Sequence, residues 1–232
     1  MPAISVIIPA HNEEKYLPET LHSLKNQTYQ DFEVIVVTNG CTDKTEEIVK
    51  KRVSARLRHL SLPNANVSVA RNAGALNAQG TTLVFLDADT HLAPNTLHAI
   101  KQHFTSEYAV ATAKVYPDAP ELRYKLLMGF KNLNHQLGIY KEFSGVLICR
   151  KEQFHQVSGY NPEVTIREHR ELRKKLEQFG QYTCIDTQVI TSMRRFTQWG
   201  IPKIAWFWLT AWGRKKENLK SDFPGREYEK IR

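Results

Sequence analysis

Two carboxylates one residue apart, Asp87 and Asp89, follow the apolar run Leu83-Val84-Phe85-Leu86. Four consecutive apolar residues read as a strand buried on both faces, and in open α/β sheets ligands bind beyond the carboxyl ends of such strands. In an extended chain residues two apart face the same side. Like charges so placed repel unless a cation is shared. A divalent ion, Mn2+ or Mg2+, takes carboxylate oxygens together with substrate phosphates. His91 continues the spacing as a candidate third ligand, and an imidazole favours manganese over magnesium or calcium. The bland alternative is an Asp-rich turn that caps the helix after Pro94.

A second chemistry-bearing group lies near the end of the chain. Arg194 and Arg195 form a pair whose guanidinium forks match a diphosphate or an acceptor phosphate, unless both are ordinary surface arginines. Beyond them Trp199, Trp206, Phe207, Trp208 and Trp212 crowd a segment edged by Arg214-Lys215-Lys216. The apolar stretch there is too short to span a bilayer. Trp beside Lys and Arg suits a membrane interface, with a core or dimer-forming helix as the alternative.

Positioning these residues requires a scaffold, and the pattern of the first half supplies one. Apolar runs at 4–8, 32–37 and 83–86 read as strands, the first ended by Pro9. Helices are expected at 13–25, capped by Asn12 and kinked at Pro18, at 42–51 with Thr42 as N-cap, at 67–78 and at 96–104. Strands without period-2 alternation, separated by helices, imply a mostly parallel sheet covered on both faces. In the second half strands are expected at 110–115, 145–149 and 183–191. Helices are expected at 121–137 and 166–179, the latter with Leu172, Leu176 and Phe179 on one stripe. Residues 221–232 read as a polar tail.

Composition bounds the class. The chain has 232 residues, 41% apolar and 24% charged, enough for one large domain with its own core. Cys41, Cys149 and Cys184 are odd in number and widely spaced, which argues against a disulfide framework and for a reducing compartment. No secretory signal and no span-length apolar run is legible, so the expected location is cytoplasmic. The net charge of +8 is uneven: the first 120 residues hold 11 Lys/Arg against 12 Asp/Glu, the rest 21 against 12. A basic second half points to a polyanionic partner. Nucleic acid is disfavoured because no binding motif is present and the first half has no basic excess. A dinucleotide-binding oxidoreductase is disfavoured because no Gly-x-Gly-x-x-Gly follows the first strand.

Four ordered segments carry a resemblance. They are Ser5-Val6-Ile7-Ile8-Pro9-Ala10-His11-Asn12-Glu13-Glu14, Val37-Thr38-Asn39-Gly40-Cys41-Thr42-Asp43, Ala70-Arg71-Asn72-Ala73-Gly74, and Phe85-Leu86-Asp87-Ala88-Asp89. In that order the chain resembles the family 2 glycosyltransferases. The resemblance implies an α/β GT-A-like single domain with a mostly parallel central sheet flanked by helices, to which the Trp-rich residues described above add a C-terminal amphipathic, aromatic helical arm. A donor half would span residues 1–115, an acceptor half 116–195, and the arm 196–232.

It further implies inverting transfer of a sugar from a UDP- or GDP-sugar. Pro9, His11 and Glu13 fall where the family holds base and ribose. Asn39 falls where an Asp commonly reads the base, a departure that leaves uridine against guanosine open. Arg71 falls at a nucleotide contact, Asp87 near ribose or metal, Asp89 at the metal, and His91 at a third ligand. The family's base is an Asp after a Glu at the start of a helix. Here Glu168 matches the Glu, and His169 stands at the Asp. His169 is then the base, or Glu168 is, or a phosphate acceptor needs none; the run Arg167–Leu172 also reads as a salt-bridged helix face. A lipid-linked acceptor, with the arm touching the inner face of the membrane, completes the expectation. An inactive sugar-nucleotide-binding relative is the alternative that His169 suggests.

Overall fold

The computed structural model describes residues 1–139, 141, 143, 145–164 and 167–200. Residues Met1–Thr191 form one compact unit and Ser192–Arg232 a second.

The apolar runs of the first half become the centre of the sheet. Strand β1 (Ile4–Ala10) and β2 (Phe32–Asn39) are buried at every residue. Both pair in parallel, with β3 (Leu57–Leu62) continuing beyond β2. On its other side β1 pairs in parallel with β4 (Thr82–Leu86), but only as far as Ile7. Pro9 therefore does not end β1. It sits past the β4 ladder, where a residue without an N–H breaks no bond on that side.

The helices depart from expectation at their starts. Helix α1 is Leu17–Lys25, with Pro18 in its first turn. There the missing N–H is unneeded and φ is already helical, so Pro18 begins the helix instead of kinking it. Asn12 does not cap α1. It adopts φ 55°, a left-handed conformation that a short polar side chain tolerates, and its Oδ1 accepts the N–H of Thr42 at 2.8 Å. Thr42 in turn is no N-cap: α2 is Thr45–Lys50, and Asp43 Oδ1 accepts the Thr45 N–H at 2.9 Å. Helix α3 (Val67–Asn77) is capped by Asn66, whose Oδ1 accepts the Val69 N–H at 3.0 Å. It crosses β1 so closely that a Cβ at Gly74 would overlap the Ile7 side chain.

The remaining elements are β5 (Thr90–Leu92), α4 (Thr96–His103), β6 (Tyr108–Pro117), α5 (Leu122–Gln136), β7 (Val146–Arg150), α6 (Lys151–Gln156), α7 (Glu168–Leu176), β8 (Gln181–Thr191) and α8 (Arg194–Trp199). A single 3-10 turn, Glu177–Phe179, finishes α7, so the predicted helix at 166–179 is shorter and tightens at its end. The sheet order is β3-β2-β1-β4-β7-β6-β8-β5. Only β7 and β5 run against the rest, which keeps the sheet mostly parallel.

Core side chains fill both faces. Ile4, Val6 and Ile8 pack with Leu17, Leu21, Leu97 and Ile100 on one side. Ile7, Ile35 and Phe85 pack with Ala70, Phe154, Leu172 and Leu176 on the other. This alternation along β1 is the period-2 geometry of a strand sandwiched between helix layers. At the amino edge Glu33 ties the layers together. It accepts from Ser5 Oγ at 2.7 Å, the Gln79 N–H at 2.6 Å and Arg58 at 2.5 Å.

Cys41, Cys149 and Cys184 are all free thiols. Among the described residues no helix is long and apolar enough to cross a membrane. Trp199 closes α8. Trp206, Phe207, Trp208, Trp212 and the rest of the expected arm lie outside the described residues, as does Ile166.

Candidate functional site

The carboxyl edge of the sheet gathers most of the residues singled out above. Asp87 follows β4, Asn39 ends β2, and His11 follows β1. The Asp87 N–H is held by the Gly145 carbonyl at 2.9 Å, just before β7 begins. Gly145 has φ +76°, and a Cβ there would stand 2.6 Å from Thr90 Oγ1. Only glycine lets the incoming strand approach that turn so closely.

Residues 87–90 are not extended. The Thr90 N–H returns to the Asp87 carbonyl at 3.2 Å, making a tight turn. The outward facing that strand geometry would give Asp87 and Asp89 is reached differently: Ala88 and Thr90 are buried on either side of Asp89, while Asp87 and Asp89 keep partial exposure. Ala88 is pinned by its carbonyl, which accepts Thr20 Oγ1 at 2.7 Å. His91 is the half-buried residue of β5, opposite Ile190 of β8. Among the described residues no three His, Cys, Asp or Glu side chains form a preassembled metal cage.

A buried arginine joins the acidic turn to a helix far along the chain. Arg71, on α3, is 2% exposed. Its Nη2 donates to Asp87 Oδ1 at 2.9 Å and its Nη1 to Glu168 Oε1 at 2.8 Å. The guanidinium also lies 5.2 Å from the centroid of the Tyr160 ring. Burial opposes its charge, but Tyr160 and the two carboxylates more than compensate, and its pKa sits above the ordinary arginine value. A rigid planar fork suits this double engagement.

Beside it, Tyr160 Oη meets His169 Nδ1 at 2.9 Å. The imidazole is flanked by Tyr160 and Phe143, with ring centroids 5.5 and 5.6 Å away. Burial pushes the Tyr160 phenol well above its usual range, so it stays protonated. Tyr160 is itself fixed by a reciprocal pair with Asn72: its N–H donates to Asn72 Oδ1 at 2.9 Å and its carbonyl accepts Asn72 Nδ2 at 2.8 Å. Sequence reasoning missed Tyr160 and Asn72 as parts of the site. The one local signal was Ser158-Gly159, both at positive φ, marking a turn that delivers Tyr160.

On the donor side, His11 Nδ1 donates to the Asn39 carbonyl at 2.7 Å. In the neutral ring this leaves Nε2 as the acceptor, with Asn12 Nδ2 at 3.5 Å. The Asn39 amide is buried and bridges two elements, donating to the Ala10 carbonyl at 3.0 Å and accepting the Asn66 N–H at 3.0 Å. Glu13 is 6% exposed, and its N–H donates to Thr45 Oγ1 at 2.7 Å. Pro9 lies within β1. Arg194 and Arg195 open α8, which belongs to the second unit.

Known proteins share the family profile and the fold. The family profile described as "Glycosyl transferase family 2" matches residues 5–161. An uncharacterized glycosyltransferase of Haemophilus influenzae is 36% identical over 115 residues, 48% of this chain and 46% of that protein. S. aureus TarS 1-349 in complex with UDP-GlcNAc superposes with a TM-score of 0.64 at 23% identity, over 83% of this chain and 58% of that one. The mannosyltransferase PcManGT from Pyrobaculum calidifontis, in complex with GDP-Man and Mn2+, gives 0.69 at 20% identity, over 82% and 56%. At such identities the structural likeness establishes the GT-A-like fold. The chain spans less than half the length of the first curated relatives it matches.

Proposed function

Because the chain belongs to glycosyl transferase family 2, we propose that it transfers a sugar, with inversion, from a nucleotide-diphosphate donor to an acceptor. The observation that carries this reading is the fork of the buried Arg71, which ties the partly exposed acidic turn after β4 to the start of α7. It couples a site for a departing diphosphate to a helix that presents a proton acceptor.

Asp87 and Asp89 put carboxylate oxygens, hard donors, at a partly exposed turn, a donor set that suits Mn2+ or Mg2+ together with phosphate oxygens. Such an ion, when bound, neutralises charge on the leaving diphosphate. Asp89 is its main protein ligand, Asp87 a shared one, and His91 a candidate further one. Pro9, His11, Glu13 and Asn39 hold the nucleoside. Asn39 has one amide hydrogen and one lone pair beyond the bonds described above, and these are what it offers a base.

Glu168 is committed to Arg71, so it positions α7 and does not take a proton. His169 receives the proton of an acceptor hydroxyl at Nε2, which requires Nδ1–H to donate to Tyr160 Oη. A phosphate acceptor, already anionic, needs no base. The basic second half, with Arg194, Arg195 and the Trp-rich segment, suits a lipid-linked acceptor met at the inner face of a membrane.

The test is a thermal-shift panel of UDP, GDP and their sugars, with Mn2+ or with chelator. A ligand at a hundredfold excess over its Kd stabilises by about 2.7 kcal/mol, which is roughly 5–10 °C for a domain of this size. The matching nucleotide should give that shift only with metal. Flat melting curves with every nucleotide and metal would sink the proposal.

A further inference from the structure

Helix α5 carries its apolar face outward. Leu122, Leu126, Phe130, Leu133 and Leu137 recur at i, i+4, i+8, i+11 and i+15, one stripe of a helix, and are 68%, 64%, 69%, 52% and 63% exposed. Ile139, just beyond, is 73% exposed. Among the described residues these six are over half of all strongly exposed large apolar side chains. Singly they would be unremarkable, but a contiguous stripe marks a contact surface.

The opposite face fixes α5 in place by polar means. Asn132 Oδ1 accepts the Val115 N–H at 2.9 Å, and its Nδ2 donates to the Val115 carbonyl at 2.8 Å. His135 Nδ1 meets Tyr182 Oη at 2.6 Å. Tyr124 and Met128 complete this buried side. The helix is thus clamped to β6 and β8, and its outward stripe is not available to the core.

Charge selects the occupant. The helix carries Arg123, Lys125 and Lys131 and no Asp or Glu, while Glu121, its N-cap residue, lies 4.0 Å from the Arg123 guanidinium at an exposed position and leaves the rim net cationic. Helical spacing puts Arg123 and Lys125 on opposite flanks of the stripe. A second copy of this chain would bring the same cations face to face. Segment 201–232 is no better suited, since it holds 8 Lys/Arg against 4 Asp/Glu. An apolar stripe with a cationic rim matches a bilayer with anionic headgroups.

Topology adds a consequence. The chain leaves the sheet at the carboxyl end of β6 and re-enters at Gly145, whose carbonyl holds the Asp87 N–H. The excursion that contains α5 therefore starts and ends on the edge that bears Asp87.

We propose that the Leu122–Ile139 face is an interfacial docking surface for anionic phospholipid, built into the catalytic unit itself. It does not depend on the assigned chemistry or on segment 201–232.

The experiment is cosedimentation of the full chain with phosphatidylcholine vesicles, with and without phosphatidylglycerol. Two double variants are compared, Leu126→Ser/Phe130→Ser and Arg123→Glu/Lys125→Glu. All four positions are exposed, so thermal melts should match wild type. The apolar variant should lose about tenfold or more in partitioning onto anionic vesicles. The charge variant should lose a similar factor there, and none on neutral vesicles. Wild-type binding by both variants overturns the proposal. So does a wild-type chain that ignores vesicles but forms a concentration-dependent dimer, by sedimentation velocity, that Leu126→Ser/Phe130→Ser dissolves.

Discussion

Replacing Arg71 by Met keeps most of the stem and removes the charge that two carboxylates share. The two losses are unequal. Glu168 is 7% exposed and would lose the guanidinium it is buried against, and removing one partner of a buried ion pair costs about 3–5 kcal/mol. The Asp87 side chain is 39% exposed, so water screens it, and its share is at most about 1 kcal/mol. Arg71→Met should therefore lose about 3–5 kcal/mol in urea unfolding at neutral pH. The deficit should depend on pH. A carboxylate stranded in the interior holds its proton more tightly in the folded than in the unfolded chain. The folded state then binds more protons through the carboxylate range, and stability falls as pH rises. The penalty should thus be smaller at pH 5 than at pH 8. Arg71→Met/Glu168→Gln should recover a large part of it, because the amide removes the stranded charge. A loss below about 1 kcal/mol, or a penalty that neither pH nor the second substitution changes, would show that Glu168 does not depend on Arg71 for its charge.

Four further outcomes follow from the same geometry. Asp89→Ala should cut transfer at least about a thousandfold and move stability by no more than about 0.5 kcal/mol, because this turn side chain is partly exposed; parallel rate and melting measurements check both halves. His169→Gln should lower kcat toward a hydroxyl acceptor by about 10²–10⁴ and remove the acid limb of the pH–rate profile, and an unaltered profile would take the base role away from it. Gly145→Ala forces a Cβ onto Thr90 in a left-handed backbone; roughly 1–3 kcal/mol of stability should go, and activity with it, since the same residue anchors Asp87. Glu33 tests the opposite edge. Burial raises its proton affinity, but the bonds from Ser5, Gln79 and Arg58 outweigh this and hold its pKa below the usual value. Its contribution is present above the unfolded carboxylate pKa and is lost as pH falls through the folded one. Glu33→Gln should accordingly flatten acid destabilisation below about pH 5, as measured by melts across pH.

How far the sequence reached depends on how local each signal was. The strands at β1, β2 and β4 were legible because burial on both faces demands uninterrupted apolar runs, a demand that needs no partner to be recognised. Strand β3 escaped because it is half-buried and mixes Arg58, His59 and Ser61 among its leucines. Three-residue β5 carries too little pattern to detect. The helix starts went wrong for a related reason. Asn12 and Thr42 have the side chains of caps, but their bonds run across the fold to each other's loops, 30 residues apart in sequence. The acidic turn was readable from Asp87 and Asp89 alone, although its shape was not, since the Asp87 N–H is held by Gly145, which arrives from elsewhere in the chain. Arg71 shows the limit most sharply. By likeness it is a nucleotide contact, yet its buried partner lies 97 residues downstream and Tyr160 lies between them in sequence. No window-length pattern encodes that fork. It exists only once β4, α3 and α7 have been brought to one edge.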